Sequence, residues 1–481
     1  MALSKYRRCL SQAFVHMITL TSFGAAEETT GSKHLLKIDD ENYFIDVGMW
    51  QGSRDANQKN HDWESPIPVN DISGVFLTHA HADHCALLPK LIKDGYSGKI
   101  RCTPATRDLA SIIMLDSAKI QKYEQPAPSY EESDVIETIE HFRCHFYHKK
   151  KVASEKLSFT FYDAGHILGS AMIDLEIPIK QNFLEKLFKR NQEKMHILFT
   201  GDLGRKKNPI TNSPEKCMPA PDYIVLESTY GNRLHQTTEQ CYEQLEETIK
   251  ETIERGGKVI IPSFAVERAQ EIIYHIKRLM TDKKIPRVSV YVDSPMATAA
   301  TGVFNIHPEC FNRELIEKFI SQGKNPFSVR SLHYITDYKN SQKLAKSEKS
   351  CIVIAANGMC EAGRIINHLK TGISNPNNTI IIVGYMAENT LGRRILEKEP
   401  KVKIEGTEFE LKAQVKSIDG FSAHADYNEI LEWISGVDTS RLKKIILVHG
   451  DKESQIALKE KLESCGYNVI IQEKEKSIKL V

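Results

Sequence analysis

Thr78-His79-Ala80-His81-Ala82-Asp83-His84-Cys85 places three histidines and one aspartate within six positions. The stretch follows the apolar run Gly74-Val75-Phe76-Leu77, which reads as a buried strand. Leu87, Leu88, Leu91 and Ile92 come next, spaced like the inner face of a helix. The cluster therefore belongs to a strand-to-helix loop, at the carboxyl end of a strand, where open α/β sheets hold their ligands. Imidazole and carboxylate together form an N/O donor set suited to zinc. A lone histidine is more often a surface or core residue than a ligand. Four candidate ligands packed this tightly behind a strand point to a metal site.

Working outward, 481 residues suffice for two or more domains with cores of their own. An apolar content of 41% and a charged content of 26% are ordinary for a soluble globular chain. The formal net charge is +1, so a nucleic-acid partner cannot be argued from overall charge, and any basic surface has to be local. The ten cysteines form no CxxC pair, so neither a zinc ribbon nor a disulfide framework is suggested. That usage fits a reducing, cytoplasmic compartment. Lys5, Arg7 and Arg8 precede a partly apolar stretch that weakly resembles a signal peptide, but Gln12, His16 and several threonines interrupt it. No later run approaches the about 20 apolar residues of a membrane span. Residues 1–16 read as an N-terminal extension, with the folded part starting near Met17.

In chain order, strands are expected at Ile18–Phe23, His34–Ile38 and Tyr43–Asp46, separated by turn signals. Asp46 at a strand end could accept hydrogen bonds from metal-binding histidines; an ordinary turn aspartate is the equal alternative. A helix over Pro104–Lys122 and a strand over Leu157–Tyr162 follow, the strand delivering Asp163-Ala164-Gly165-His166. His166 is a candidate ligand because the first cluster exists. Lys180–Lys194 reads as a charged excursion. The apolar strand Met195–Thr200 ends in Gly201-Asp202-Leu203-Gly204, where Asp202 could bridge two metals, and Tyr223–Leu226 ends in Glu227.

From about residue 231 helix and strand alternate, and runs such as Val259-Ile260-Ile261 and Ile380-Ile381-Ile382-Val383 are continuously apolar. That texture suits a parallel sheet buried on both faces, a second α/β domain over 231–400. Its strand ends carry Ser263 and Gly358, and Arg268 and Arg364 lie on the helices that follow. Backbone amides with arginine suit phosphate groups; helix caps and surface arginines explain the pattern equally well. After residue 400 strands return at Val402–Ile404 and Glu408–Val415, then Gly420-Phe421-Ser422-Ala423-His424-Ala425-Asp426 opens a helix, and Lys444–Val448 delivers His449.

The pattern HxHxDH is similar to the signature of the metallo-β-lactamase fold. The ordered set Asp46, His79/His81/Asp83/His84, His166, Asp202, Glu227, His424 and His449 resembles the β-CASP branch of that superfamily, RNA-processing nucleases related to the endonuclease subunit of the cleavage and polyadenylation specificity factor. Phe23-Gly24-Ala25-Ala26, Pro262-Ser263-Phe264-Ala265, Gly363-Arg364 and Gly392-Arg393-Arg394 extend the likeness from Ile18 to the C-terminus. The histidine at 449 resembles the RNA-acting members rather than the DNA-repair relatives. Val47 departs from the cysteine frequent at that position.

The resemblance implies an α/β (α+β sandwich) architecture: an αββα metallo-β-lactamase domain in two segments, 17–230 and 401–481, with a parallel-sheet β-CASP domain, 231–400, inserted as a cap. It implies two zinc ions, with manganese the alternative metal. His79, His81 and His166 would hold one, Asp83, His84 and His449 the other, with Asp202 bridging and Asp46 orienting ligands from behind. Glu227 would pair with His424, the general acid beside a metal-bridging hydroxide. Ser263, Arg268, Gly358, Arg364 and Ser422 would contact RNA phosphates. The expected partner is single-stranded RNA, with no membrane; family members are often homodimers, and no interface can be read. Two other functions are compatible with parts of the pattern: hydrolysis of a small ester or thioester, which uses the same HxHxDH set, and a non-catalytic RNA-binding subunit.

Overall fold

The computed structural model describes residues 17–52, 55–124, 127–179, 194–384, 386 and 390–481. The N-terminal extension 1–16 and nearly all of the charged stretch 180–194 lie outside the described residues. Two seven-stranded sheets and one six-stranded sheet carry the architecture. The first sheet runs in the order Ile478–Lys479, Ile18–Gly24, Lys33–Ile38, Glu41–Ile45, Ile72–Phe76, Ile100–Cys102, Phe142–Cys144. The second runs Val469–Ile471, Lys444–Val448, Tyr223–Glu227, Lys194–Phe199, Ala171–Pro178, Leu157–Asp163, Lys151–Ser154.

Strand periodicity decides which face each side chain takes. In the second sheet Leu157, Phe159 and Phe161 point into a core shared with Leu20, Leu36, Ile45 and Phe76 of the first. Their alternating partners Tyr162, Ile224, Leu226, Ile445 and Leu447 pack outward against Ile430, Trp433 and Ile434 of the helix Tyr427–Ser435 and against Leu458 and Leu462 of the helix Lys452–Ser464. On the far side of the first sheet, Phe44, Val75 and Leu77 meet Leu88, Leu91, Leu109 and Met114 from the helices Leu88–Lys93 and Pro104–Glu124. The result is an αββα sandwich, as expected for a metallo-β-lactamase fold.

The third sheet is parallel throughout, in the order Leu332–Tyr334, Val290–Asp293, Ile352–Ala355, Val259–Pro262, Thr379–Ile382, Gln414–Ser417. Its continuously apolar runs are buried on both faces: Val259, Ile261 and Ile354 face one cluster, Ile260, Val353 and Ile380 another. Crossover helices carry their own start signals. Thr237 and Gln240 form a capping box at Thr238–Glu254, and Ser294 caps Pro295–Ile306, which has proline in its first turn.

One expectation needs correction. The boundary expected at residue 401 places the strands that follow it in the sandwich. Lys401–Ile404 and Thr407–Glu410 instead pair with each other, and Gln414–Ser417 adds in parallel to Thr379–Ile382 at the edge of the third sheet. A four-residue strand with one buried valine, Val415, carries no information about which sheet edge it joins. The cap docks on the sandwich through polar contacts: His307 Nε2 lies 2.7 Å from Asp108 Oδ2, and Asn312 Nδ2 donates to the Asn208 carbonyl at 2.9 Å.

The core between the two large sheets joins them face to face. Phe161→Ala, at a buried inward position, should cost about 3–5 kcal/mol. Urea unfolding followed by far-UV circular dichroism should show the lowered midpoint.

Candidate metal centre

Within each large sheet the strands that end in candidate ligands run in the same direction, and their carboxyl ends gather along one edge. Asp46 follows Glu41–Ile45, His79 follows Ile72–Phe76, His166 follows Leu157–Asp163, and Asp202 follows Lys194–Phe199. Glu227 closes its own strand, and His449 follows Lys444–Val448. His424 arrives from the turn between Asp419–Phe421 and Tyr427–Ser435, laid against Gly204 by an isolated bridge. Two glycines let these loops touch. A Cβ on Gly48 would sit 1.7 Å from the Asp83 carbonyl oxygen, and one on Gly204 1.8 Å from that of Gly165. Asp46 and His449 both have positive φ, +62° and +49°. Such backbone costs about 1–3 kcal/mol and clusters at functional sites.

The donor atoms fall into two groups. Near one, His81 Nδ1 faces His79 Nε2 at 3.1 Å and His166 Nε2 at 3.2 Å. In the other, His84 Nε2 and His449 Nε2 are 3.2 Å apart, and Asp83 Oδ2 is 3.4 Å from His449 Nε2. Asp202 Oδ2 stands between them, 3.4 Å from His79 Nε2, 3.4 Å from His84 Nε2 and 3.6 Å from His166 Nε2. These donors lie within 4.8 Å of one another inside each group.

A zinc ion with tetrahedral Zn–N bonds of about 2.0–2.1 Å sets its nitrogens about 3.3 Å apart. The observed 3.1–3.2 Å separations fit that spacing. One proton on His81 Nδ1 cannot satisfy two facing nitrogens, whereas a shared cation can. Burial lowers the pKa of His79 and His166 well below the usual value and that of His81 to about 4, so these rings present lone pairs at neutral pH. Burial works against the Asp202 charge, but the surrounding histidines hold its carboxyl well below the ordinary range. The donor set thus fits a cation on each side of an ionised Asp202.

Asp46 lies behind the donor cluster. Its carboxylate accepts from the Thr78 amide at 2.8 Å, from Thr78 Oγ1 at 2.8 Å, and faces His84 Nδ1 at 2.7 Å. That contact turns His84 Nε2 toward the site. Thr78 and Thr229 escape sequence reading. Thr78 Oγ1 also touches His79 Nδ1 at 3.1 Å, and Thr229 Oγ1 touches His449 Nδ1 at 3.1 Å. Their only sequence signal is adjacency, to His79 and to Ser228 after Glu227.

Glu227 and His424 come together from nearly 200 residues apart. His424 Nδ1 lies 3.0 Å from Glu227 Oε1 and 3.9 Å from Asp202 Oδ2. Glu227 is fully buried and also accepts from the Leu203 amide at 2.8 Å. Burial opposes the charged imidazole, yet Glu227 and Asp202 outweigh it and raise the His424 pKa to about 9.

The residues expected at phosphates behave differently. Ser422 Oγ accepts from the His424 amide at 3.3 Å, so it belongs to the site's wall. Arg268 is paired with Glu271 at 2.5 Å, and Arg364 with the fully buried Asp293 at 2.7 Å. Ser263 Oγ donates to the Phe264 carbonyl, and Gly358 lies under the Phe264 ring. Both guanidiniums are therefore already neutralised inside the cap, by carboxylates that helix spacing and strand pairing bring in and that a phosphate pattern in the sequence cannot reveal.

Three family models match the chain in sequence: a metallo-beta-lactamase superfamily domain over residues 35–198, a Beta-Casp domain over 269–395, and a Zn-dependent metallo-hydrolase RNA specificity domain over 408–472. A protein named Ribonuclease TTHA0252, from Thermus thermophilus, is 35% identical over 452 residues, 94% of this chain and 97% of its own length. The chain belongs to the β-CASP family of metallo-β-lactamase-fold proteins. Other β-CASP relatives are named Transcription termination factor FttA. That of Methanosarcina mazei is 31% identical, covering 94% of this chain and 70% of its own, and that of Pyrococcus horikoshii is 32% identical, covering 92% and 67%. A crystal structure of a protein of unknown function from Enterococcus faecalis superposes over 97% of this chain and all of its own, with a TM-score of 0.53 at 12% identity, a likeness of fold alone.

Asp202→Asn keeps the shape of the β-CASP centre and removes its central charge. Zinc per chain, measured by plasma mass spectrometry after dialysis, should fall by at least half together with activity. Unchanged stoichiometry and activity would remove Asp202 from the site.

Proposed function

We propose that this chain is a metal-dependent ribonuclease that hydrolyses RNA phosphodiester bonds, in RNA processing or decay. The observation that carries the reading is His424, its Nδ1 held 3.0 Å from buried Glu227, beside two convergent donor groups joined by Asp202. His79, His81 and His166 would hold one zinc ion, and Asp83, His84 and His449 the other, with Asp202 shared between them; manganese would suit the same donors less well. The chemistry that ions held by these residues would supply is a hydroxide nucleophile near neutral pH and neutralisation of phosphate charge.

The chain's own residues do the rest. Glu227 occupies His424 Nδ1, so Nε2 is the nitrogen left for substrate, on a ring whose side chain is 19% exposed. Breaking the bond to the ribose 3′ oxygen leaves an alkoxide that needs a proton. His424 is charged at neutral pH and can donate from Nε2. The products carry a 5′-phosphate and a 3′-hydroxyl. Ser422 orients the turn that presents His424. The names of the relatives, a ribonuclease and transcription termination factors, support RNA as the polymer. Among the described residues no helix is long and apolar enough to cross a membrane.

The test is cleavage of single-stranded RNA by the zinc-loaded chain, with label on the 5′ or the 3′ end and matched DNA alongside. RNA-selective cutting supports the reading; hydrolysis of small esters without RNA cleavage overturns it. His424→Ala should keep both metals and slow single-turnover cleavage by about 10²–10⁴. Near-normal cleavage would rule out the acid role.

The proton on His424 also fixes a pH dependence. The acid form is present below its raised pKa and is lost as pH rises through about 9. Activity should therefore fall on the alkaline side, with a midpoint at or below about 9 once cations share the site. A pH–rate profile should show that limb in the wild-type chain and lose it in His424→Ala.

A further inference from the structure

The chain between the two outer strands of the sandwich has a composition unlike its surroundings. From His141 to Ser154 there is no aspartate or glutamate, but there are four lysines and arginines, three histidines and three aromatic residues. Phe142–Cys144 is the outermost strand of the first sheet and Lys151–Ser154 that of the second, so the connection wraps the sandwich's side. Phe146 is 64% exposed and Val152 74%, and Lys149, Lys150 and Lys151 are exposed between them. Lys150 pairs with Glu176, which also takes Lys194. Among the described residues Lys149 and Lys151 have no ion-pair partner.

This surface is tied to the catalytic edge. The Tyr147 hydroxyl donates to the Ser170 carbonyl at 2.8 Å. His148 Nε2 lies 2.7 Å from Glu215 Oε2, and Glu215 Oε1 accepts from the Asp163 amide at 3.0 Å. Asp163 and Ser170 bracket the loop that carries His166. The basic turn thus flanks that loop, and the loop lies at the seam between cap and sandwich: Thr211 Oγ1 donates to the Gly165 carbonyl at 3.1 Å, and Thr211 forms an isolated bridge with Phe311 of the cap.

Lysines on edge strands often guard against strand pairing. That role does not account for Lys149 and Lys150, which precede the strand, nor for exposed Phe146 and Val152, which a guarded edge would avoid. Cations spaced along a backbone path with an exposed aromatic ring match what a single strand of nucleic acid requires.

We propose that Phe146 and Lys149–Lys151 form a tracking surface outside the catalytic cleft, holding the flank of a single-stranded RNA whose scissile bond lies at the metal centre. This rests on the ribonuclease reading above. The surface holds phosphates through the lysines and one base through Phe146, without reading sequence. It makes the enzyme favour long single strands over fragments that fill the cleft alone.

The test compares the zinc-loaded wild-type chain with a chain carrying Lys149→Gln, Lys150→Gln and Lys151→Gln, on RNAs of about 5 and about 25 nucleotides. The variant should raise KM for the long RNA about tenfold or more at constant kcat and leave the short RNA unchanged. The slope of log(kcat/KM) against log[salt] on the long RNA should shrink by about 2, since each phosphate contact to a single strand contributes about 0.7. Phe146→Ala should weaken binding of the long RNA about fivefold or more without altering that slope. Unchanged KM and slope in the lysine variant, or a variant whose only change is self-association in gel filtration, would overturn the proposal. Failure of the wild-type chain to cut either RNA would instead overturn the ribonuclease reading. Fluorescence anisotropy with the long RNA would then decide the surface by itself: loss of affinity in the variant supports it, and equal affinity or no binding rejects it.

Discussion

Asp202 is a carboxylate buried to 2% exposure with three histidine Nε2 atoms within 3.6 Å of one oxygen. A charge in that position is tolerable only because the surrounding imidazoles compensate its desolvation, and those imidazoles can stay so close only with a negative group or cations among them. Each side therefore depends on the other. The geometry that satisfies both is held from outside by bonds to groups that bear no chemistry of their own. Asp46 fixes His84, Thr78 ties Asp46 to His79, and Thr229 holds His449. Left-handed backbone at Asp46 and His449 shows that the packed sandwich, with its own stability, sustains local strain at the same edge.

The two halves of the site have opposite electrostatic tasks, and position assigns them. Rings sunk in the sandwich, such as His79 and His166, are kept neutral by burial and offer lone pairs. His424 is less enclosed, with 19% of its side chain exposed, and stands against Glu227, which raises its pKa. On the proposed reading one residue type would serve as ligand and as acid within a few ångströms, because a fixed carboxylate neighbour outweighs desolvation in one place and not in the other.

The cap contributes little direct charge to this centre. Its arginines Arg268 and Arg364 are neutralised by Glu271 and Asp293. Its parallel sheet works as a rigid wall docked through His307, Asn312 and the shared apolar core. On the proposed reading, electrostatic attraction for a polyanion would fall to surface groups such as Lys149 and Lys151, since the net charge of the whole chain is only +1.

Much of this was legible in one dimension. Strand runs ending in His, Asp or Glu marked the candidate ligands, since chain direction puts such residues at strand ends regardless of distant contacts. The continuous apolar runs 259–261 and 380–383 announced a doubly covered parallel sheet, because burial on both faces leaves no position for polar residues. The ordered motifs were enough to indicate the family. What only the tertiary structure decided is how pairs far apart in sequence meet: Glu227 with His424, Thr229 with His449, Arg364 with Asp293, and Gln414–Ser417 with the third sheet. A threonine hydroxyl, a guanidinium or a four-residue strand has many suitable partners along a chain of 481 residues. The choice among them is made by packing, which fixes the few that come within hydrogen-bond reach.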